Sequence, residues 1–263
     1  MTTKIITLAN RKGGAGKTTA AATIASGLAF RGKNVLLIDL DGQASVSRWL
    51  GLVRDDGAFA LLTLDVSKKP VAEMVRSMVI SSRRDHLYVL PGSEKTYSAV
   101  NILSGKPISH LRKVIASLFF RGSIDYIVID TQPGESFELQ TMAIWAADYL
   151  IIPTACAQSS LDGLYSLWET AKRMKAEIDP DRVWHGAVLG VLINEYEQGK
   201  TTSEETLARV IEKCSQEAIL GPIHRAQLFK QMEGQGLTLW EKDPKSRAAQ
   251  EYNAILSKII RLS

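Results

Sequence analysis

Short, largely apolar runs recur along the chain, each closing on a polar residue or a proline, and between them lie stretches whose apolar residues return at helical spacing. The runs are Ile5–Ala9, Val35–Ile38, Leu87–Leu90, Tyr126–Ile129, Tyr149–Ile152 and Val188–Ile193. Runs of this kind, with no polar residue at alternate positions, predict strands buried on both faces of a sheet. Helical periodicity predicts helices over Thr19–Phe30, Ile108–Phe120, Leu161–Ile178 and Ser203–Cys214. A last helix is expected over Lys245–Leu262, with Pro244 as its first-turn proline. Strand, glycine loop, helix and strand over the first forty residues make a βαβ unit, which requires parallel strands. The pattern gives least between about Val53 and Arg84. The alternation predicts an α/β fold with a mainly parallel central sheet flanked by helices, in one domain over 1–263.

Composition narrows the class without naming a chemistry. The chain has 263 residues, 45% hydrophobic and 23% charged, enough apolar mass for a large core. Lys and Arg total 32 against 28 Asp and Glu, a net charge of +4 that permits nucleic-acid contact without arguing for it. The two cysteines, Cys156 and Cys214, exclude a disulfide scaffold, and the four scattered histidines show no zinc-ligand spacing. No apolar run approaches the roughly 18 residues of a membrane span, and the N-terminus lacks a signal-like apolar segment, so a cytoplasmic location is expected.

The chemistry is concentrated in Gly13-Gly14-Ala15-Gly16-Lys17-Thr18-Thr19, between the first strand and the first helix. Glycines let backbone N–H groups close around phosphate oxygens, and the helix N-terminus adds its partial positive charge. In such a P-loop Lys17 neutralises the terminal phosphates of a nucleotide and the Thr18 hydroxyl ligates Mg²⁺. Arg11 stands where the common form of the motif has its first glycine, and Lys12 follows it. A second lysine here is either a solvated loop residue or one that reaches outward, to the nucleotide of a facing subunit, as an arginine finger does in trans.

Two apolar runs end in acids, Asp39 and Asp41 after the second and Asp130 after Tyr126–Ile129. Ligands of open parallel sheets sit at the carboxyl ends of strands, so these carboxylates are expected beside the phosphate loop. Asp130 fits the Walker B position, holding Mg²⁺ through water. Asp41 is the candidate for orienting the attacking water, and Asp39 for a more distant magnesium partner or a loop anchor. Gly42–Ser45 and Thr131–Gly134 are candidate switch loops by position.

Lys12–Thr18, Leu37-Ile-Asp-Leu-Asp-Gly-Gln43 and Tyr126-Ile-Val-Ile-Asp-Thr-Gln-Pro133, in that order, resemble the ParA/MinD family of deviant Walker A ATPases. The stretch Glu241–Tyr252 is similar to the same region of the ParA and Soj partition proteins. The resemblance implies a P-loop NTPase using ATP and Mg²⁺, forming a sandwich dimer in which Lys12 contacts the partner's nucleotide. It implies Asp41 as the catalytic aspartate, with Asn194 and Gly221-Pro222-Ile223-His224 beside the adenine. It further implies a dimer that binds DNA without sequence preference, associates with the nucleoid, and is released when a ParB-like centromere-binding or adaptor protein stimulates slow hydrolysis. Gln132 replaces the usual first proline of the second switch, and Gly42 stands where proline is common. The first strand begins too early for a helix-turn-helix extension, so operator-specific binding is not expected.

Candidates for the DNA face are Lys200, Arg225, Lys230, Lys245 and Arg247. A MinD-like membrane-cycling ATPase is the rival reading. Ile255, Ile259 and Leu262 share a helical stripe, but no aromatic residue or concentrated basic face accompanies it, and membrane binding is not expected. A nitrogenase-iron-protein-like reductase would need cluster cysteines beside the switch loops, where neither Cys156 nor Cys214 falls.

Overall fold

The computed structural model describes residues 3–262 except 54, 66, 120–123, 135, 136 and 179–182. β1 (Lys4–Leu8), α1 (Lys17–Phe30) and β2 (Val35–Leu40) form the opening βαβ unit. Next come α2 (Ser45–Trp49), α3 (Gly57–Thr63), α4 (Lys69–Ser77), β3 (Ile80–Ser81), β4 (Leu87–Leu90), α5 (Lys95–Leu103) and α6 (His110–Phe119). β5 (Tyr126–Thr131), α7 (Phe137–Ala146), β6 (Tyr149–Ala155), α8 (Gln158–Lys175), β7 (Ala187–Tyr196) and α9 (Thr201–Cys214) continue the alternation. β8 (Ile219–His224), α10 (Leu228–Gln235), α11 (Leu239–Lys242) and α12 (Arg247–Arg261) complete the described chain.

The strands form one sheet in the order β3-β4-β2-β5-β1-β6-β7-β8, parallel throughout except for the short edge strand β3. The apolar runs have the cause inferred for them. In β2, Leu37 packs with α1 on one face while Leu36 and Ile38 pack with α3 and α6 on the other. β5 does the same, with Val128 on the first face and Ile127 and Ile129 on the second.

Small residues decide how closely the helices approach. A Cβ on Gly27 would fall 2.5 Å from Leu256 Cδ1 and 2.6 Å from the Trp240 ring. This site therefore admits α11 and α12 against the alanine-rich α1. α12 begins at Arg247, capped by the Ser246 hydroxyl, which accepts from Ala249 N at 3.3 Å. Pro244 thus lies in the preceding turn rather than in the helix, because the serine cap sets the start. The helix expected over Ile108–Phe120 runs over His110–Phe119, and Phe120 lies outside the described residues.

Candidate nucleotide site

β1 lies between β5 and β6, so the loop that leaves it opens at the carboxyl edge of the sheet, where the chain runs outward in both directions. Gly14 and Gly16 take positive φ of 73° and 83°, a backbone that a side chain resists. Gly16 has a second reason, since a Cβ there would sit 2.4 Å from Asn194 Nδ2. That amide donates to the Ala15 carbonyl at 2.8 Å, tying β7 to the phosphate loop. Asn10 braces the other end. Its Nδ2 donates to the Pro153 carbonyl at 2.7 Å and its Oδ1 accepts Lys12 N at 3.0 Å.

Lys17 is buried, and its Nζ donates to the Lys12 carbonyl at 3.1 Å across the loop. Burial lowers the Lys17 pKa, opposed by the charges of Asp130 and Asp41. The Lys12 side chain is exposed, and its Cγ lies where a Cβ on Gly163 of α8 would approach to 2.9 Å. Arg11 turns from the phosphate loop to α8, donating to the hydroxyls of Ser166 and Thr170.

Asp39 and Asp130 face each other in register across β2 and β5, and Leu8 of β1 is opposite Asp130. Both acids are fully buried and differ in how they are satisfied. Asp39 Oδ2 accepts from Ser47 N at 3.1 Å and Ser47 Oγ at 2.7 Å, and Oδ1 accepts from Asp41 N at 3.2 Å. Asp39 is therefore the loop anchor that fastens α2, and burial pushes its pKa up to about 6. Among the described residues neither oxygen of Asp130 has a hydrogen bond of normal geometry, only a weak contact from the Thr18 hydroxyl. Burial first, then the Asp39 charge, raises its pKa well above the carboxylate range, with nearby Thr18 and Lys17 pulling the other way. A buried carboxylate so weakly satisfied beside a threonine and a lysine is a site made for a hard cation. Thr18 and Asp130 fit Mg²⁺.

Beyond the glycines a cleft of about 660 Å³ opens, well within the range of small-molecule sites. Gly14, Gly16 and Thr19 line it together with Asn194, Ile223, His224 and Phe229. The sequence-predicted Asn194 lies inside β7 and not after it, and Pro222 belongs to β8 without lining the cleft.

A profile described as an AAA domain matches residues 3–182. Maintenance of carboxysome distribution protein A of Synechococcus elongatus is 34% identical over 240 residues, covering 89% of this chain and 90% of that one. The chain belongs to the ParA/MinD family of P-loop ATPases. The sporulation initiation inhibitor protein Soj of Bacillus subtilis is 28% identical over 249 residues, 95% of each chain. Among solved structures, apo McdA of Cyanothece superposes with a TM-score of 0.78 at 22% identity, covering 98% of this chain and 99% of that one. MinD of Pyrococcus horikoshii, complexed with Mg-ADP, gives 0.74 at 21%, covering 99% and 97%. At these identities both structures report a shared fold.

In this ParA/MinD-family ATPase four of the five basic candidates gather at the rim of the nucleotide cleft. Arg225 and Lys230 line it. Lys200 and Arg225 both pair with Glu197, at 2.8 and 3.1 Å. Arg247 and His224 share Glu251, at 2.9 and 2.6 Å, and Arg247 also donates to His224 Nε2, which places the ring proton on Nδ1. Lys245 is exposed in the turn before α12. The Ile255 and Ile259 side chains are fully buried against the core. Among the described residues no helix is long and apolar enough to cross a membrane.

Sequence reasoning missed four contributors: Asn10, Glu251, Gly163 and Tyr97, whose hydroxyl donates to Asp41 Oδ1 at 3.2 Å. Asn10 carried a usable signal, an amide immediately after the first strand that can cap the turn. The other three are distant in sequence and become part of the site through packing alone.

Proposed function

We propose that this chain hydrolyses Mg-ATP as the timing step of a cargo-positioning cycle. The observation that carries this reading is Asp130, a fully buried carboxylate that among the described residues accepts no hydrogen bond of normal geometry, adjacent to a phosphate loop whose lysine is held by a backbone carbonyl. The Gly14–Thr19 amides cradle the phosphates, and Lys17 exchanges the Lys12 carbonyl for the β- and γ-oxygens. Thr18 and Asp130 would hold magnesium, which would supply neutralisation of phosphate charge. Asp41 orients the attacking water. Asn194, Ile223 and His224 enclose the base. Lys12, exposed and beside Gly163 of α8, reaches the nucleotide of a second copy, so ATP closes a sandwich dimer.

The dimer binds DNA without sequence preference through Lys245 and through Lys200, Arg225, Lys230 and Arg247, which collect along one rim and are partly balanced by Glu197 and Glu251. This places it on the nucleoid. A ParB-like centromere-binding or adaptor protein stimulates hydrolysis and releases it. Soj and the carboxysome-distribution protein are relatives whose names refer to cellular events of this scale. The burial of Ile255 and Ile259 in the core favours this cycle over the membrane-cycling alternative.

The test is a DNA gel shift with ATP, ADP and no nucleotide, repeated across salt, beside sedimentation with anionic liposomes. ATP-dependent retention on unrelated DNA sequences, weakening steeply with salt, is the expected result. ATP-dependent sedimentation with liposomes and no DNA shift would overturn it.

A further inference from the structure

The carboxylate of Asp41 is not held by its own loop alone. Its Oδ1 accepts two donors, Gln43 N at 2.9 Å and the hydroxyl of Tyr97 at 3.2 Å. Tyr97 comes from the first turn of α5, 56 residues away, and reaches the site because two glycines clear its way. At Gly92, just before α5, a Cβ would sit 2.6 Å from the Asp39 carbonyl and 2.8 Å from that of Asp41. At Gly42 a Cβ would stand 2.4 Å from the Tyr97 ring. The glycine that departs from the family's common proline is thus the residue on which the Tyr97 ring lies. Asp56 fixes the start of α5, accepting from Ser93 Oγ at 2.7 Å and from the Lys95 ammonium.

We infer that Tyr97 is a positioning residue for ATP hydrolysis, its hydroxyl pinning Oδ1 of Asp41 so that Oδ2 faces the attacking water, with Gly42 as the seat of its ring. The inference rests on the role given to Asp41 above. Two donors on one oxygen fix the rotation of the carboxylate, and among the described residues no protein donor is directed at the other oxygen. A carboxylate set in advance needs no reorganisation when water attacks. Burial raises the Tyr97 phenol pKa, with the Asp41 charge adding to it, so the hydroxyl stays a donor at neutral pH.

The test is single-turnover ATP hydrolysis by the full chain, with affinity measured separately using a non-hydrolysable ATP analogue, for wild type, Asp41→Asn, Tyr97→Phe, Gly42→Ala and the Gly42→Ala/Tyr97→Phe double variant. The hydroxyl's removal is expected to slow hydrolysis by about three- to tenfold, the range for one lost hydrogen bond. Analogue affinity and melting temperature should be unchanged, a split that a merely structural role would not give. Gly42→Ala, which displaces the ring, should slow hydrolysis similarly, and the double variant should be no slower than the worse single one. If Asp41→Asn is inactive while Tyr97→Phe matches or exceeds wild type, the inference falls and the Asp41 role stands. If Tyr97→Phe loses affinity and stability together with rate, it is structural and the inference falls. If Asp41→Asn hydrolyses normally, both fall.

Discussion

Asn194 on β7 donates its side-chain amide to the Ala15 carbonyl at 2.8 Å and occupies the space in which a Cβ on Gly16 would have to sit. A residue on the strand next to the sheet's edge therefore shapes the phosphate loop near the N-terminus, and strand and loop are mechanically one. Gly16→Ala should lose ATP binding by more than tenfold, since it meets both a positive-φ backbone and the amide. Asn194→Ala should weaken binding less, leaving the loop's own glycines intact. Titration with a fluorescent ATP analogue measures both, and equal affinities for wild type and Gly16→Ala would remove the loop from nucleotide binding.

Asp130→Asn should separate stability from function. In the nucleotide-free protein both Asp130 and Asp39 hold raised pKa values, Asp39 at about 6. Such groups bind protons more tightly folded than unfolded. Their contribution to stability is greatest below the unfolded carboxylate pKa, near 4, and is lost as pH rises through the folded values. Replacing the buried Asp130 carboxylate should raise the melting temperature of the nucleotide-free protein by a few degrees at about pH 7.5, corresponding to roughly 1–2 kcal/mol. The gap should close toward about pH 4, while magnesium-dependent ATP binding is lost. Calorimetry across pH checks this; a variant less stable than wild type at neutral pH would refute the account of Asp130 as a strained cation site.

Lys17→Ala should abolish nucleotide binding, and Lys12→Ala should not. With its side chain exposed beside Gly163, Lys12 is expected to matter only when a second copy closes over the site. Lys12→Ala should bind the ATP analogue as a monomer. Analytical ultracentrifugation with that analogue tests it: a dimer of undiminished mass would refute the role in trans.

Gly27→Ala should destabilise the protein although alanine is the better helix former by about 1 kcal/mol. The added methyl would fall 2.5 Å from Leu256 Cδ1 and 2.6 Å from the Trp240 ring, where the neighbours are packed on all sides. Overpacking of this kind costs about 1–3 kcal/mol, so the urea midpoint should fall. A midpoint at or above that of wild type would show that α11 and α12 can withdraw from α1 without cost.

The phosphate loop, the acids that follow the second and fifth strands, and most strand positions were legible in the sequence. A parallel strand buried on both faces must be a largely apolar run, and a loop that wraps phosphate must carry glycines at fixed spacing before a lysine. These are local demands, written locally. Even the boundaries missed were small: Asp39, Asp130 and Asn194 lie inside their strands because backbone pairing continues past the last apolar residue. The stretch from Val53 to Arg84 resisted reading because its elements are short, seven residues in α3, nine in α4 and two in the edge strand β3, so no periodicity runs for long.

Which groups complete each acid was decided only by the tertiary structure. From sequence Asp130 is the Walker B acid, Asp41 the acid that orients water, and Asp39 a magnesium partner or loop anchor. Packing gave Asp39 its donors from Ser47 and Asp41, left Asp130 without a hydrogen bond of normal geometry among the described residues, and brought Tyr97 across Gly42 to Asp41. The amino-acid order supplies the charges and the glycines; the distances between residues far apart along the chain arise only when the sheet closes, and those distances set what each charge can do.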